Sequence, residues 1–198
     1  MKGHPDSLIL ASASPRRREL LKRMGLVFEV RPSEVAEDDR GLDGPKEMVA
    51  KNAALKADAV AGEFPRSLIL GSDTTVAFEA TILSKPGDLK EAAEMLQQLS
   101  GREHTVYTAV SLRWLQGQTT VDFVETSTVK FKDFPESTIE AYFRQVNPLD
   151  KAGAYGIQEA REMIIESVTG SIENVMGLPI QGLGEKLLEL GFDFSDQK

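Results

Sequence analysis

The apolar run Leu8-Ile9-Leu10-Ala11 passes without a spacer into Ser12-Ala13-Ser14-Pro15. Consecutive apolar residues suit a short strand buried on both faces, where no polar alternation is needed. Ser14 followed by Pro15 is a helix start: the hydroxyl can cap a free amide, and proline's fixed φ suits the first helical position. Leu20, Leu21 and Met24 then supply an apolar stripe, and Gly25 closes the helix.

The alternation begun there continues to the end of the chain. A strand over 27–31 is followed by an acidic, Gly/Pro-punctuated loop over 33–45. The helix expected from about Pro45 to Gly62 carries Val49, Ala53 and Val60 on one face. Residues 67–71 form a continuous apolar strand ending in Ser72-Asp73-Thr74, and 76–83 a short hairpin. An amphipathic helix over 88–99 runs through Ala92, Met95, Leu96 and Leu99. Two long strands, 106–115 and 121–132, meet at the turn Gln116-Gly117-Gln118. A helix over 135–145, a small-residue loop over 152–156, a strand over 163–168 and a helix over 183–190 complete the reading. No repeat or linker interrupts it, so the expected fold is α/β, one compact unit with a mixed central sheet flanked by helices.

Composition excludes several classes of chemistry. With 41% hydrophobic and 27% charged residues in 198, the chain is an ordinary globular sequence. Its net charge of -8 suits no extended nucleic-acid backbone, though a small anion needs only a local knot of Arg and Lys. The absence of Cys rules out disulfides, zinc–thiolate sites and a thiol nucleophile. His4 and His104 have no partner at metal-ligand spacing. No apolar run approaches the roughly 20 residues that cross a bilayer, and 8–11 is too short for a signal peptide. The expected address is cytoplasmic, with no membrane and no nucleic-acid partner.

Chemistry-bearing residues cluster in six segments. Arg16-Arg17-Arg18 put positive charge at the positive end of a helix dipole, an unfavourable placement that a docked anion would reverse. Free amides, Ser12, Ser14 and guanidinium forks there make a phosphate cradle, or else a solvated basic helix start. Lys56 falls on the apolar face set by Val49 and Ala53, so it either snorkels to the edge or meets an anion. Asp73, at the end of a strand read as buried and parallel, either holds a cation or activates water, or merely caps a turn. Glu37, Asp38 and Asp39 form an acidic run in a loop, which on composition reads as a solvated face. Pro86 biases Lys85 towards extended backbone, which aims the ammonium into a cleft or leaves it in solvent. In Lys151-Ala152-Gly153-Ala154-Tyr155-Gly156-Ile157-Gln158, small residues let a ligand approach and Gln158 can read a base edge; the alternative is a tight structural loop. Cationic groups, a placed carboxylate and no His or Cys together suit phosphoanhydride hydrolysis, which depends on positioning and charge neutralisation.

The sequence resembles the Maf family of nucleotide pyrophosphatases over nearly the whole chain. The resemblance is carried by 10–17, Gly71-Ser72-Asp73-Thr74-Thr75-Val76, Ser84-Lys85-Pro86, Leu99-Ser100-Gly101-Arg102-Glu103-His104, 150–158 and Asn174-Val175-Met176-Gly177-Leu178-Pro179. It implies one bilobed domain over 1–198 with a cleft, similar to the inosine triphosphate pyrophosphatases. It also implies hydrolysis of a nucleoside triphosphate to monophosphate and pyrophosphate with Mg²⁺ or Mn²⁺, and a homodimer. Asp73 would be general base. Arg17, Lys56 and Lys85 would act on the triphosphate with Ser12, Ser14 and Arg16, and Glu37 would hold metal with Asp73. The form of 151–158 resembles the branch acting on dTTP and UTP, making Arg16, Thr74 and Gln158 specificity positions. Glu159, where the family usually has Gly, puts a negative charge beside Gln158. A 7-methylguanosine triphosphate branch and a non-catalytic nucleotide-sensing regulator of cell division are the alternatives.

Overall fold

The computed structural model describes residues 3–38 and 40–194, so Asp39 lies outside the described residues. The first half of the chain forms β1 (Leu8–Leu10), α1 (Pro15–Arg23), β2 (Glu29–Val30), α2 (Pro45–Glu63), β3 (Leu68–Phe78) and β4 (Thr81–Leu83). The second half forms α3 (Leu89–Leu99), β5 (Glu103–Trp114), β6 (Thr119–Phe131), α4 (Glu136–Phe143), α5 (Arg161–Ile164), β7 (Ile165–Thr169), α6 (Ile172–Met176) and α7 (Ile180–Leu190). The small-residue loop contains one 3-10 turn, Ala152–Ala154.

All seven strands belong to one mixed sheet in the order β2-β1-β3-β5-β6-β7, with β4 on β3. β1 pairs parallel with β2 and β3, whereas the ladders from β3 to β7 are antiparallel. Alternation along the strands divides the core between two faces. Ile9 and Ile69 point towards Ala57, Val60 and Ala61 of α2. Leu8, Leu10, Leu68 and Leu70 join the larger cluster with side chains from α1, α3, α4 and α7. The expected mixed α/β sheet flanked by helices is the observed architecture.

Local chemistry explains where the helices begin. Ser14 Oγ accepts from the Arg17 amide, Asp88 caps α3 through Glu91, and Pro45 opens α2. Gly71 sets the depth at which α2 packs. A Cβ there would lie 2.3 Å from the Ala53 carbonyl oxygen and 2.8 Å from the Ala57 nitrogen, so the helix backbone rests directly on β3.

Several boundaries differ from the sequence reading. β3 does not stop at Gly71; it runs on to Phe78, because the ladder to β5 continues from Ile69↔Arg113 to Ala77↔Thr105. Only Leu68–Leu70 is parallel to β1, so Asp73 sits in mid-strand, three residues past the end of the parallel segment. The expected strand over 27–31 shrinks to two residues pairing with Ile9 and Leu10. The expected strand over 163–168 begins as the helical turn α5, and α6 was not foreseen.

Candidate active site

Where β1 stops and β3 continues, a gap opens in the sheet, and a cavity of about 610 Å³ lies beside it. Its walls are residues 11–17 at the start of α1, the 32–38 loop, one face of α2, the middle of β3, Lys85 and the 150–158 loop. The sequence segments that looked chemically charged therefore line a common space.

Asp73 is only 8% exposed. Its Oδ1 accepts from Lys56 Nζ at 2.8 Å and its Oδ2 from Asn52 Nδ2 at 3.0 Å. Lys56 does not snorkel. Its Nζ turns inward, donating to Glu37 Oε2 at 2.6 Å as well and lying 3.5 Å from the Ser72 carbonyl oxygen. One buried ammonium is thus shared by two carboxylates, an arrangement that offsets the cost of desolvating it.

Arg17 lines the same cavity from the start of α1. It donates from Nε to the Gly177 carbonyl at 2.8 Å, from Nη1 to Ser12 Oγ at 3.1 Å and from Nη2 to Thr74 Oγ1 at 3.0 Å. Three of its roughly five N–H donors are committed, leaving others for an anion. Burial lowers its pKa below the ordinary guanidinium value; Asp73 and Glu37 oppose that shift while Arg16 adds to it. Ser12 also accepts from the Ser14 amide at 3.2 Å, so both hydroxyls of the cradle have structural duties here. Thr74 shares its hydroxyl with Thr108 at 3.0 Å.

The remaining positions occupy the rim. Arg16 pairs with Asp150 at 3.2 Å. Partial burial pushes Asp150 up, but the hydrogen bond and charge of Lys151, with help from Arg16, hold it below the usual carboxylate range. Lys151 is buried and also meets Glu159 at 3.2 Å. The charge of Glu159 is therefore directed at Lys151, while its Oε1 accepts from Gln158 Nε2 at 3.2 Å. Gln158 and Lys85 are exposed on the cleft wall, and Lys85 has no ion-pair partner among the described residues. The glycines of 153–156 serve packing within the protein: a Cβ on Gly153 would meet Val76 at 3.0 Å, and one on Gly156 the Lys151 Cε at 2.9 Å.

Two participants escaped the sequence reading. Asn52 lies one turn before Lys56 on α2, a spacing that would have flagged it as polar on the same face. Gly177 contributes only its carbonyl oxygen, which also accepts from Ser72 Oγ at 3.2 Å; no side-chain pattern announces that. As metal donors, Glu37 and Asp73 offer hard carboxylate oxygens in the number magnesium or manganese takes beside phosphate and water. Among the described residues no group of three or more His, Asp or Glu gathers as a metal cage.

The family model described as Maf-like protein matches residues 7–190. The chain is 44% identical over 186 residues to the dTTP/UTP pyrophosphatase of Syntrophus aciditrophicus (strain SB), a match covering 94% of this chain and 91% of that protein. It is 42% identical over 186 residues to the dTTP/UTP pyrophosphatase of Bacillus anthracis (strain CDC 684 / NRRL 3495), covering 94% of this chain and 96% of that one. The dTTP/UTP pyrophosphatase of Bacillus cereus (strain ATCC 10987 / NRS 248) is likewise 42% identical over 186 residues, with 94% of this chain and 91% of that protein covered. With the ordered motifs and the mixed sheet already described, these matches mean that the chain belongs to the Maf-like protein family.

Proposed function

We propose that this protein hydrolyses the α–β phosphoanhydride of dTTP and UTP, releasing the nucleoside monophosphate and pyrophosphate. The observation that carries the reading is Asp73, a buried carboxylate on the wall of a cleft that also holds Arg17, Lys56 and Lys85. The relatives' names supply the nucleotide.

In this mechanism Arg17, Lys56 and Lys85 neutralise the triphosphate, and the open start of α1 adds amides suited to anions. Asp73 orients a water molecule towards the α phosphorus and takes its proton as the new P–O bond forms. The bond from the α phosphorus to the bridging oxygen breaks, and its electron pair leaves with pyrophosphate. Glu37 and Asp73 are the residues that would hold Mg²⁺ or Mn²⁺. A divalent ion bound there supplies further neutralisation of the phosphate oxygens. Arg16, Thr74 and Gln158 discriminate among bases.

The test uses purified protein with Mg²⁺ or Mn²⁺ and a panel of dTTP, UTP, other canonical triphosphates and 7-methylguanosine triphosphate. Pyrophosphate and monophosphate from dTTP and UTP, with ¹⁸O from labelled water in the monophosphate, are expected. Orthophosphate as first product, a preference for the methylated nucleotide, or saturable binding without turnover overturns the reading.

A further inference from the structure

We propose that Asn52 is a positioning residue for this hydrolysis, a clamp that holds Asp73 and the 37–38 segment in one frame; the inference rests on the pyrophosphatase reading. Asn52 is 2% exposed, in the interior of a 19-residue helix. Asparagine is a poor helix former, and burying its amide is unfavourable unless the polar atoms are paired. Here they are paired with unusual completeness. Oδ1 accepts from the Asp38 amide at 2.9 Å, and Nδ2 donates to the Asp38 carbonyl at 2.7 Å and to Asp73 Oδ2 at 3.0 Å.

The first two bonds dock the carboxamide on both backbone groups of one residue, which fixes that peptide in rotation as well as translation. Among the described residues, the loop it docks carries no helix or strand between β2 and α2. Beside this clamp, Glu37 is held by the ion pair to Lys56, one helical turn further along α2. The third bond fills one carboxylate oxygen of Asp73 while Lys56 takes the other, which determines the plane of the group that is to meet water. A leucine is of similar size but supplies none of the three bonds. What the amide adds is geometry at the reacting carboxylate, the kind of outer-layer support whose loss costs about 10–100-fold in activity.

The test compares parent, Asn52→Leu and Asn52→Asp. The leucine variant removes all three bonds; the aspartate variant keeps an acceptor for the Asp38 amide and loses both donors. Steady-state dTTP hydrolysis with Mg²⁺ is measured beside binding of the non-hydrolysable α,β-imido analogue of dTTP, with amide exchange at Asp38 as a readout free of turnover. The clamp predicts kcat lowered about tenfold or more in each folded variant, analogue affinity within about threefold of the parent, and faster Asp38 exchange in Asn52→Leu. A folded variant with kcat within about twofold of the parent, or a loss confined to analogue binding, overturns it. Should Asn52→Leu fail to fold, Asn52→Asp decides. Failure of the parent to release pyrophosphate sinks the proposed function instead, and Asp38 exchange still reports on the clamp.

Discussion

Asp73 has each carboxylate oxygen already engaged, one by an ammonium and one by an amide. Asp73→Asn keeps the shape but cannot take up a proton, so kcat is expected to fall about 10²–10⁴-fold while the α,β-imido analogue of dTTP binds nearly as before. Pyrophosphate release and calorimetry check the two halves separately, and a variant turning over at the parental rate removes Asp73 from the chemistry. Arg17 invites a second substitution. Lysine retains the charge but has no fork with which to reach Gly177, Ser12 and Thr74 together. Arg17→Lys is therefore expected to lose about tenfold or more in kcat/KM and to melt at lower temperature; unchanged kinetics would mean that charge alone suffices. At this scale the sequence was partly legible. Helical spacing put Lys56 on the buried face, but which anion it meets depends on Glu37, 19 residues away on an irregular loop. No local pattern encodes that distance.

Among the elements, α2 and β3 set the site by lying in direct backbone contact at Gly71. Gly71→Ala forces the Ala53 and Ala57 backbone away, and overpacking of this kind costs about 1–3 kcal/mol. The same shift lifts Asn52 and Lys56 off Asp73. A lower urea midpoint is expected together with a fall in turnover, measured on the same preparation; full activity at reduced stability would uncouple the helix from the site. α3 was readable because its Asp88 cap and its apolar stripe agree, and α2 because Pro45 opens it and Val49, Ala53 and Val60 share its buried face. β3 was cut short because Ser72-Asp73-Thr74 has the composition of a turn, whereas pairing to β5 and cover from α2 override that preference. The short helices α5 and α6, of four and five residues, offer too little length for periodicity to register. β2 survives only where β1 lies beside it.

For the whole molecule, the buried pair His104 and Tyr155 ties the sheet to the loop that walls the cleft, with 2.8 Å between Nε2 and the phenol oxygen. Burial lowers the His104 pKa from 6.5 to about 4, so the imidazole stays neutral in the fold while the unfolded chain takes up a proton first. Its contribution is fully present above pH 6.5 and declines as pH falls to about 4, by up to about 3 kcal/mol, with no further loss below. Urea unfolding of parent and His104→Gln across that interval checks this. The variant is expected to show the shallower decline, and parallel curves would assign the acid lability elsewhere.

The position of Asp73 in the middle of an eleven-residue strand, bonded to β5 and roofed by α2, has a wider consequence. It makes the carboxylate an anvil: it cannot travel with whatever is laid across it. The rim opposite, built from a helix start and an irregular loop, acts as a replaceable jaw. Exchanging Gln158 on that jaw, with Arg17 and Glu37 left in place, should retune which nucleotide is gripped without blunting the blow.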